Sequence, residues 1–128
     1  MSVLEIPAKE ASPYVRFDEE NGTLQIKGKS YDDDDVVMLF TMISSKVKAF
    51  GAQNPEKLDV NIYLKYFNTS SSKCLFDLLL DLKNLQENGV KVKIVWNFAS
   101  GDDDMGEDIE DFSDSLDMEF DIQPMTDE

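Results

Sequence analysis

The residues of this chain best suited to chemistry are hydroxyls and carboxylates, because the side chains that most often carry out catalysis or bind metals are scarce. Histidine is absent. That removes the ordinary general base at neutral pH, the Ser/His and Cys/His nucleophile pairs, and the commonest metal ligand. A single cysteine, Cys74, allows neither an intramolecular disulfide nor a cysteine-cluster metal site. Its place just inside a leucine-rich segment marks it as a small buried residue rather than a nucleophile. Two runs remain: Asn68-Thr69-Ser70-Ser71-Ser72-Lys73, and Asp102-Asp103-Asp104-Met105-Gly106-Glu107-Asp108.

The hydroxyl run stands where an extended stretch, Lys57 to Tyr66, gives way to a helix marked by Leu75, Leu78, Leu79, Leu82 and Leu85. Asn, Thr and Ser satisfy the orphan N–H groups of a helix start, so one of them is expected to be the N-cap while the others present hydroxyls nearby. A helix start also favours negative charge, which makes this loop a place for a phosphate, bound or covalently attached. Ordinary capping would by itself account for the same residues.

The acidic run offers a carboxylate-based hydrolase or a divalent-cation-binding protein as alternatives. Adjacent aspartates with no histidine and no Gly-rich phosphate loop make a poor catalytic set. As a calcium loop beginning at Asp102, the run puts Gly106 fifth and Ser113 twelfth, where glycine belongs sixth and glutamate twelfth. Met105, Ile109, Phe112 and Leu116 instead recur at helical spacing. Ser100 to Asp117 is therefore predicted to be a helix docked by that face, with its acids in water. Neither a metal site nor a cofactor is called for.

The elements that must position these runs can be read in order. Alternation in Tyr14-Val15-Arg16-Phe17 and Thr23-Leu24-Gln25-Ile26, joined at Asn21-Gly22, predicts a hairpin with strands at 14–19 and 23–28. Asp32 to Asp35 are expected to cap a helix carrying Val36, Leu39, Phe40, Ile43, Val47 and Phe50 on one face and stopping at Gly51. The strand ending at Tyr66, the leucine helix ending at Asn88-Gly89, and a strand through Val90, Val92, Ile94, Trp96 and Phe98 form a βαβ unit. Met118, Phe120 and Ile122 alternate as a last strand. The expectation is a single α/β domain over 1–128, a two-layer sandwich whose mixed, mostly parallel sheet has about five strands with about three helices. Residues 1–12 and 124–128 are expected to be loosely ordered.

At 128 residues, with 41% hydrophobic content, the chain can bury a core without disulfides or metal. The net charge of −15 is concentrated at one end. Residues 1–100 hold 14 acids against 12 bases, and 101–128 hold 13 acids and no base. Such a surface repels nucleic acid and anionic membrane and suits a basic groove on a protein partner. No secretion signal or bilayer-spanning run is evident, so the reading is cytoplasmic.

Tyr66-Phe67-Asn68-Thr69-Ser70-Ser71-Ser72-Lys73 with its leucine-rich helix resembles the signature of the SiaC family of bacterial regulatory phosphoproteins, whose fold is STAS-like, that is, similar to anti-sigma-factor antagonists. Trp96 and the acidic stretch Asp102 to Asp108 match the pattern too, as does the N-terminal hairpin with Gly28-Lys29-Ser30-Tyr31. Two places depart from it. Asp32 to Asp35 stand where related sequences often carry a Pro-Glu-Asn-like turn, and Asn97-Phe98-Ala99-Ser100 replaces a more usual aromatic-acidic lead-in. The resemblance implies a non-enzymatic regulator phosphorylated at Thr69, with Asn68, Thr69, Ser70, Ser71, Ser72 and Lys73 at a partner-binding surface. It further implies a diguanylate cyclase effector, a serine/threonine kinase of the histidine-kinase-like ATPase type, and a PP2C-like phosphatase.

Overall fold

A computed structural model describes residues 3–31 and 33–125, with the backbone alone of Asp33 and Ser70. In chain order the elements are β1 (Val3–Ile6), β2 (Tyr14–Asp18), β3 (Thr23–Ser30), α1 (Asp33–Gly51), β4 (Lys57–Phe67), α2 (Thr69–Glu87), β5 (Lys91–Ala99), α3 (Asp103–Leu116) and β6 (Asp121–Met125). The strands lie in one sheet in sequence order, β1-β2-β3-β4-β5-β6. β1, β2 and β3 pair antiparallel, and β3 to β6 pair parallel. Three successive crossovers between neighbouring parallel strands, each right-handed by the rule for such units, put all three helices on one side.

The side-chain alternation decides which side that is. Val15, Phe17, Leu24, Ile26, Leu58, Val60, Ile62, Leu64, Ile94 and Trp96 are buried under the helices. The intervening residues, such as Asp59, Asn61, Lys91 and Lys93, point to the bare face and stay exposed. The helix stripes fill the other half of the core through Val36, Phe40, Ile43 and Val47 of α1 and Leu75, Leu78, Leu79 and Leu82 of α2. At roughly 1.5–3 kcal/mol per fully buried large apolar side chain, this single cluster is the main stabilising term.

The acidic segment is a docked helix, as its spacing predicts, with Met105, Ile109, Phe112 and Leu116 buried. Asp102 caps its start by accepting the Met105 N–H at 3.1 Å. At its end Lys83 Nζ donates to the Leu116 carbonyl at 2.6 Å, a cation meeting the negative end of the helix. Gly106 permits close approach to the sheet, since a methyl group there would lie 3.3 Å from the Phe98 ring.

Several expectations need correction. The sheet has six strands, because Val3–Ile6 pairs with β2 instead of lying loose, its Leu4 and Ile6 packing against the core. At the other end Pro124 and Met125 belong to β6 rather than to a frayed tail, and Met125 accepts the Ser100 N–H at 2.7 Å. Proline is tolerated there because β6 is an edge strand. Met118 and Phe120 precede that strand. Met118 is buried just after the left-handed cap Asp117, at φ 51°, and Phe120 packs 5.7 Å from Trp96. The β2–β3 connection is a four-residue turn, Glu19 to Gly22, in which only Gly22 has positive φ; Asn21 instead donates its backbone and side-chain N–H groups to Asp18. The carboxylate cap expected to begin at Asp32, and the fraying expected of 126–128, lie outside the described residues.

Candidate functional site

The parallel arrangement brings the C-terminal ends of β3 and β4 together at one rim of the sheet, where α2 starts. Asn68 leaves β4 with extended backbone and is the N-cap of α2, its Oδ1 accepting the Ser71 N–H at 3.0 Å. Its own N–H donates to the Ser30 carbonyl at 3.2 Å, and its Nδ2 to the Tyr31 carbonyl at 3.2 Å. The cap residue therefore ties the helix start to the end of β3.

Successive helix residues turn by about 100°, so the hydroxyls of the run point in different directions. Thr69, the first residue of α2, is exposed, and Ser72 is half-buried. Ser71 is fully buried. Its hydroxyl donates to the Ser30 carbonyl at 2.8 Å, which leaves the Ser30 hydroxyl to donate to Ser71 Oγ, also at 2.8 Å. Ser71 thus anchors the run from beneath and presents nothing to a partner. Lys73 is exposed and lies 3.7 Å from Asp77, one turn on. The side chain of Ser70 is outside the described residues.

Thr69 and Ser72 face α3 across a cleft of about 390 Å³. Phe67, Phe76 and Phe112 line its apolar part, and Asp108, Asp111 and Ser115 its far wall. Burial, together with the neighbouring carboxylates Asp111, Asp104 and Asp102, pushes the Asp108 carboxyl above its usual range. Phe112 is held from below, stacked on Trp96 at 5.6 Å and tilted against Phe67 at 6.1 Å. The cleft is therefore rigid on its aromatic side, negative on its α3 side, and offers an accessible hydroxyl on its α2 side.

Beside the same rim, Tyr31 and Tyr66 meet edge to face at 5.8 Å, both exposed. Both tyrosines fall in stretches that carry the family resemblance, yet the sequence assigns neither ring, nor Asp111 and Ser115 across the cleft, to the site. The signal for the tyrosines lies in the topology, since Tyr31 follows the last residue of β3 and Tyr66 is one residue from the end of β4. Cys74 is half-buried, and burial and the nearby Asp77 carboxylate push its thiol pKa up, which disfavours the thiolate. Among the described residues no group of three Cys, Asp or Glu is placed to hold a metal ion, and the acids of the 102–108 run are spread around α3. No helix among the described residues is long and apolar enough to cross a membrane.

Comparison with known proteins agrees with this geometry. A family profile described as the SiaC family regulatory phosphoprotein matches residues 6–125. An uncharacterized Pseudomonas aeruginosa protein (strain UCBPP-PA14) is 30% identical over 123 residues, spanning 96% of this chain and 97% of that one. The crystal structure of apo-SiaC from P. aeruginosa superimposes with a TM-score of 0.83 at 29% identity, covering 96% of this chain and 99% of that one. A chain from the crystal structure of the diguanylate cyclase SiaD in complex with its activator SiaC, from the same organism, superimposes with a TM-score of 0.88 at 29% identity, covering 95% and 99%.

Proposed function

Since the chain belongs to the SiaC family of regulatory phosphoproteins, we propose that it is a non-enzymatic switch whose binding to a protein partner is controlled by phosphorylation of Thr69. The observation that carries this reading is the contrast between Thr69 and Ser71 two residues on. The Thr69 hydroxyl is accessible to a kinase, while the backbone beneath it is fixed by the Asn68 cap and the buried Ser71–Ser30 pair. A rigid mount with one exposed hydroxyl lets a partner sense the group attached there. Phosphorylation adds about −1.5 to −2 charges and three acceptor oxygens. A partner surface packed against a neutral threonine would then have to desolvate a dianion, and docking is lost.

The likeness to SiaC bound to the cyclase SiaD supports a diguanylate cyclase as the effector; on this reading it is the unphosphorylated form that engages it. A serine/threonine kinase and a PP2C-like phosphatase complete the cycle, acting in the cytoplasm. Asn68, Thr69, Ser72 and Lys73, and Ser70 between them, form the rim that the partner reads, with Ser71 as its internal support. The deciding experiment is a pull-down from the native cell with wild type, Thr69→Ala and Thr69→Asp as baits, followed by mass spectrometry of bait and bound proteins. The wild type should carry phosphate at Thr69, and Thr69→Ala should retain the effector that Thr69→Asp loses. Phosphate found elsewhere, or equal retention by all three baits, refutes the switch.

A further inference from the structure

The face of the sheet opposite the three helices is bare. Strands that pair parallel are ordinarily covered on both faces, yet β3 to β6 are covered by helices on one face only. The side chains on the open face divide unevenly. It carries seven bases, Arg16, Lys27, Lys29, Lys57, Lys65, Lys91 and Lys93, against four acids, Glu5, Asp18, Asp59 and Asp121, in a chain whose net charge is −15.

Their pairing is more uneven still. All four acids are already engaged: Glu5 by the Tyr14 hydroxyl at 2.6 Å, Asp18 by Asn21 and Arg16, Asp59 by Lys57 at 2.9 Å, and Asp121 by Gln123. Among the described residues, Lys27, Lys29, Lys65, Lys91 and Lys93 have no carboxylate within 4.0 Å. Where acids outnumber bases 27 to 12, lysines left unmatched together on one face are charges available to another molecule.

Their placement suggests its shape. Lys93 lies beside Asp59 in the register, and Lys65 stands six residues further along β4, which is about 20 Å at strand spacing. Between them the face presents the half-buried Val95 and Tyr63. We propose that the open face binds an acidic amphipathic helix of a partner protein, about 14 residues long, with carboxylates over the lysines and an apolar stripe over Val95 and Tyr63. This does not depend on Thr69, which lies on the helix side of the molecule. Nucleic acid, with a phosphate at every step, is a poor occupant of a face on which four carboxylates and the apolar Val95 and Tyr63 stand among the lysines, and a second copy carries the same unmatched lysines on the same face.

The test places the photo-crosslinking residue p-benzoylphenylalanine at Val95 in the full chain, expressed in its native cell, and maps the crosslinked segment by mass spectrometry. The expected result is a segment with carboxylates flanking an apolar helical stripe. Its yield should fall at least fivefold in Lys65→Glu/Lys93→Glu and hold in Lys46→Glu, a change on the outer surface of α1. Lys65→Gln/Lys93→Gln, which only neutralises, should fall in the same direction and covers the case in which charge reversal harms folding. The proposal is overturned by a yield indifferent to both lysine pairs, by no crosslink above that from the same residue at exposed Gln53, or by a crosslink to nucleic acid, to a second copy or to a segment lacking acids.

Discussion

Ser71 Oγ lies 2.8 Å from both the carbonyl oxygen and the hydroxyl of Ser30, residues 41 positions apart in the chain and both fully buried. This pair joins the end of β3 to the first turn of α2. Ser71→Ala leaves the Ser30 hydroxyl buried without a partner, while the Ser30 carbonyl still receives the Asn68 N–H. The expected cost is about 1–3 kcal/mol, the penalty of an unsatisfied buried polar group. Replacing both serines by alanine should cost less than the sum of the single changes, because neither is then left unpaired. Urea unfolding of the three variants measures this, and additive losses would show that the two hydroxyls do not act as a pair.

Phe112 holds α3 to the sheet by stacking on Trp96 at an interplanar angle of 15°. Phe112→Ala is expected to lower stability by about 3 kcal/mol or more, as truncation of a buried aromatic usually does. Trp96 is fully buried and should fluoresce in the blue, poorly quenched by iodide, and shift to the red in this variant. A variant as stable as wild type, with unchanged emission, would mean that α3 is not anchored through this ring.

Asp108 gives a pH signature. Burial and the carboxylates of Asp111, Asp104 and Asp102 raise its folded pKa, so on acidification the folded protein takes up this proton before the unfolded chain does. Its contribution to stability therefore grows as pH falls through the folded pKa, and is complete below the unfolded value of about 3.9. At pH 7 the charged form is a liability, and Asp108→Asn should be more stable than wild type by less than about 1 kcal/mol, the scale for exposed charges. That advantage should shrink as pH drops towards 4. A variant less stable at pH 7, or an advantage that widens in acid, would contradict the assignment.

The fold was legible wherever periodicity and punctuation agreed. The apolar faces of α1, α2 and α3 and the alternation in β4 and β5 sit as their spacing requires, because each pattern is long enough to specify one buried face. β1 was missed since a four-residue strand gives too little alternation to read, and β6 was displaced because Met118 and Phe120 are buried by α3 and Trp96 without belonging to a strand. At the site, the run of hydroxyls could be located but not oriented. Thr69 and Ser71 differ by about 200° around the helix axis, and which of them turns inward is decided by Ser30, whose proximity exists only once β3 and β4 pair.

The cleft also alters what a phosphate at Thr69 should do to the fold. From the sequence, negative charge at a helix start is expected to be neutral or favourable, worth about 0.3–1 kcal/mol at an exposed site. The structure adds an opposing element, since Asp108 and Asp111 line the same cleft and no base occurs in residues 101–128. Unit charges about 4 Å apart repel by about 1 kcal/mol in water, and a dianion facing two carboxylates involves several such pairs at longer range. The two effects are then comparable, and their balance can be read from a cycle of variants. Thr69→Glu alone should change stability little or lower it slightly, whereas in an Asp108→Asn/Asp111→Asn background the same change should stabilise by a few tenths of a kcal/mol. High salt should narrow the difference between the two backgrounds. Effector binding provides an independent readout, because desolvation of the charge at position 69 should weaken it in both backgrounds. Thermal melts of the four proteins decide the matter: if Thr69→Glu has the same effect with and without the two aspartates, the charge at position 69 does not feel α3, and the cleft plays no part in how phosphorylation reaches the fold.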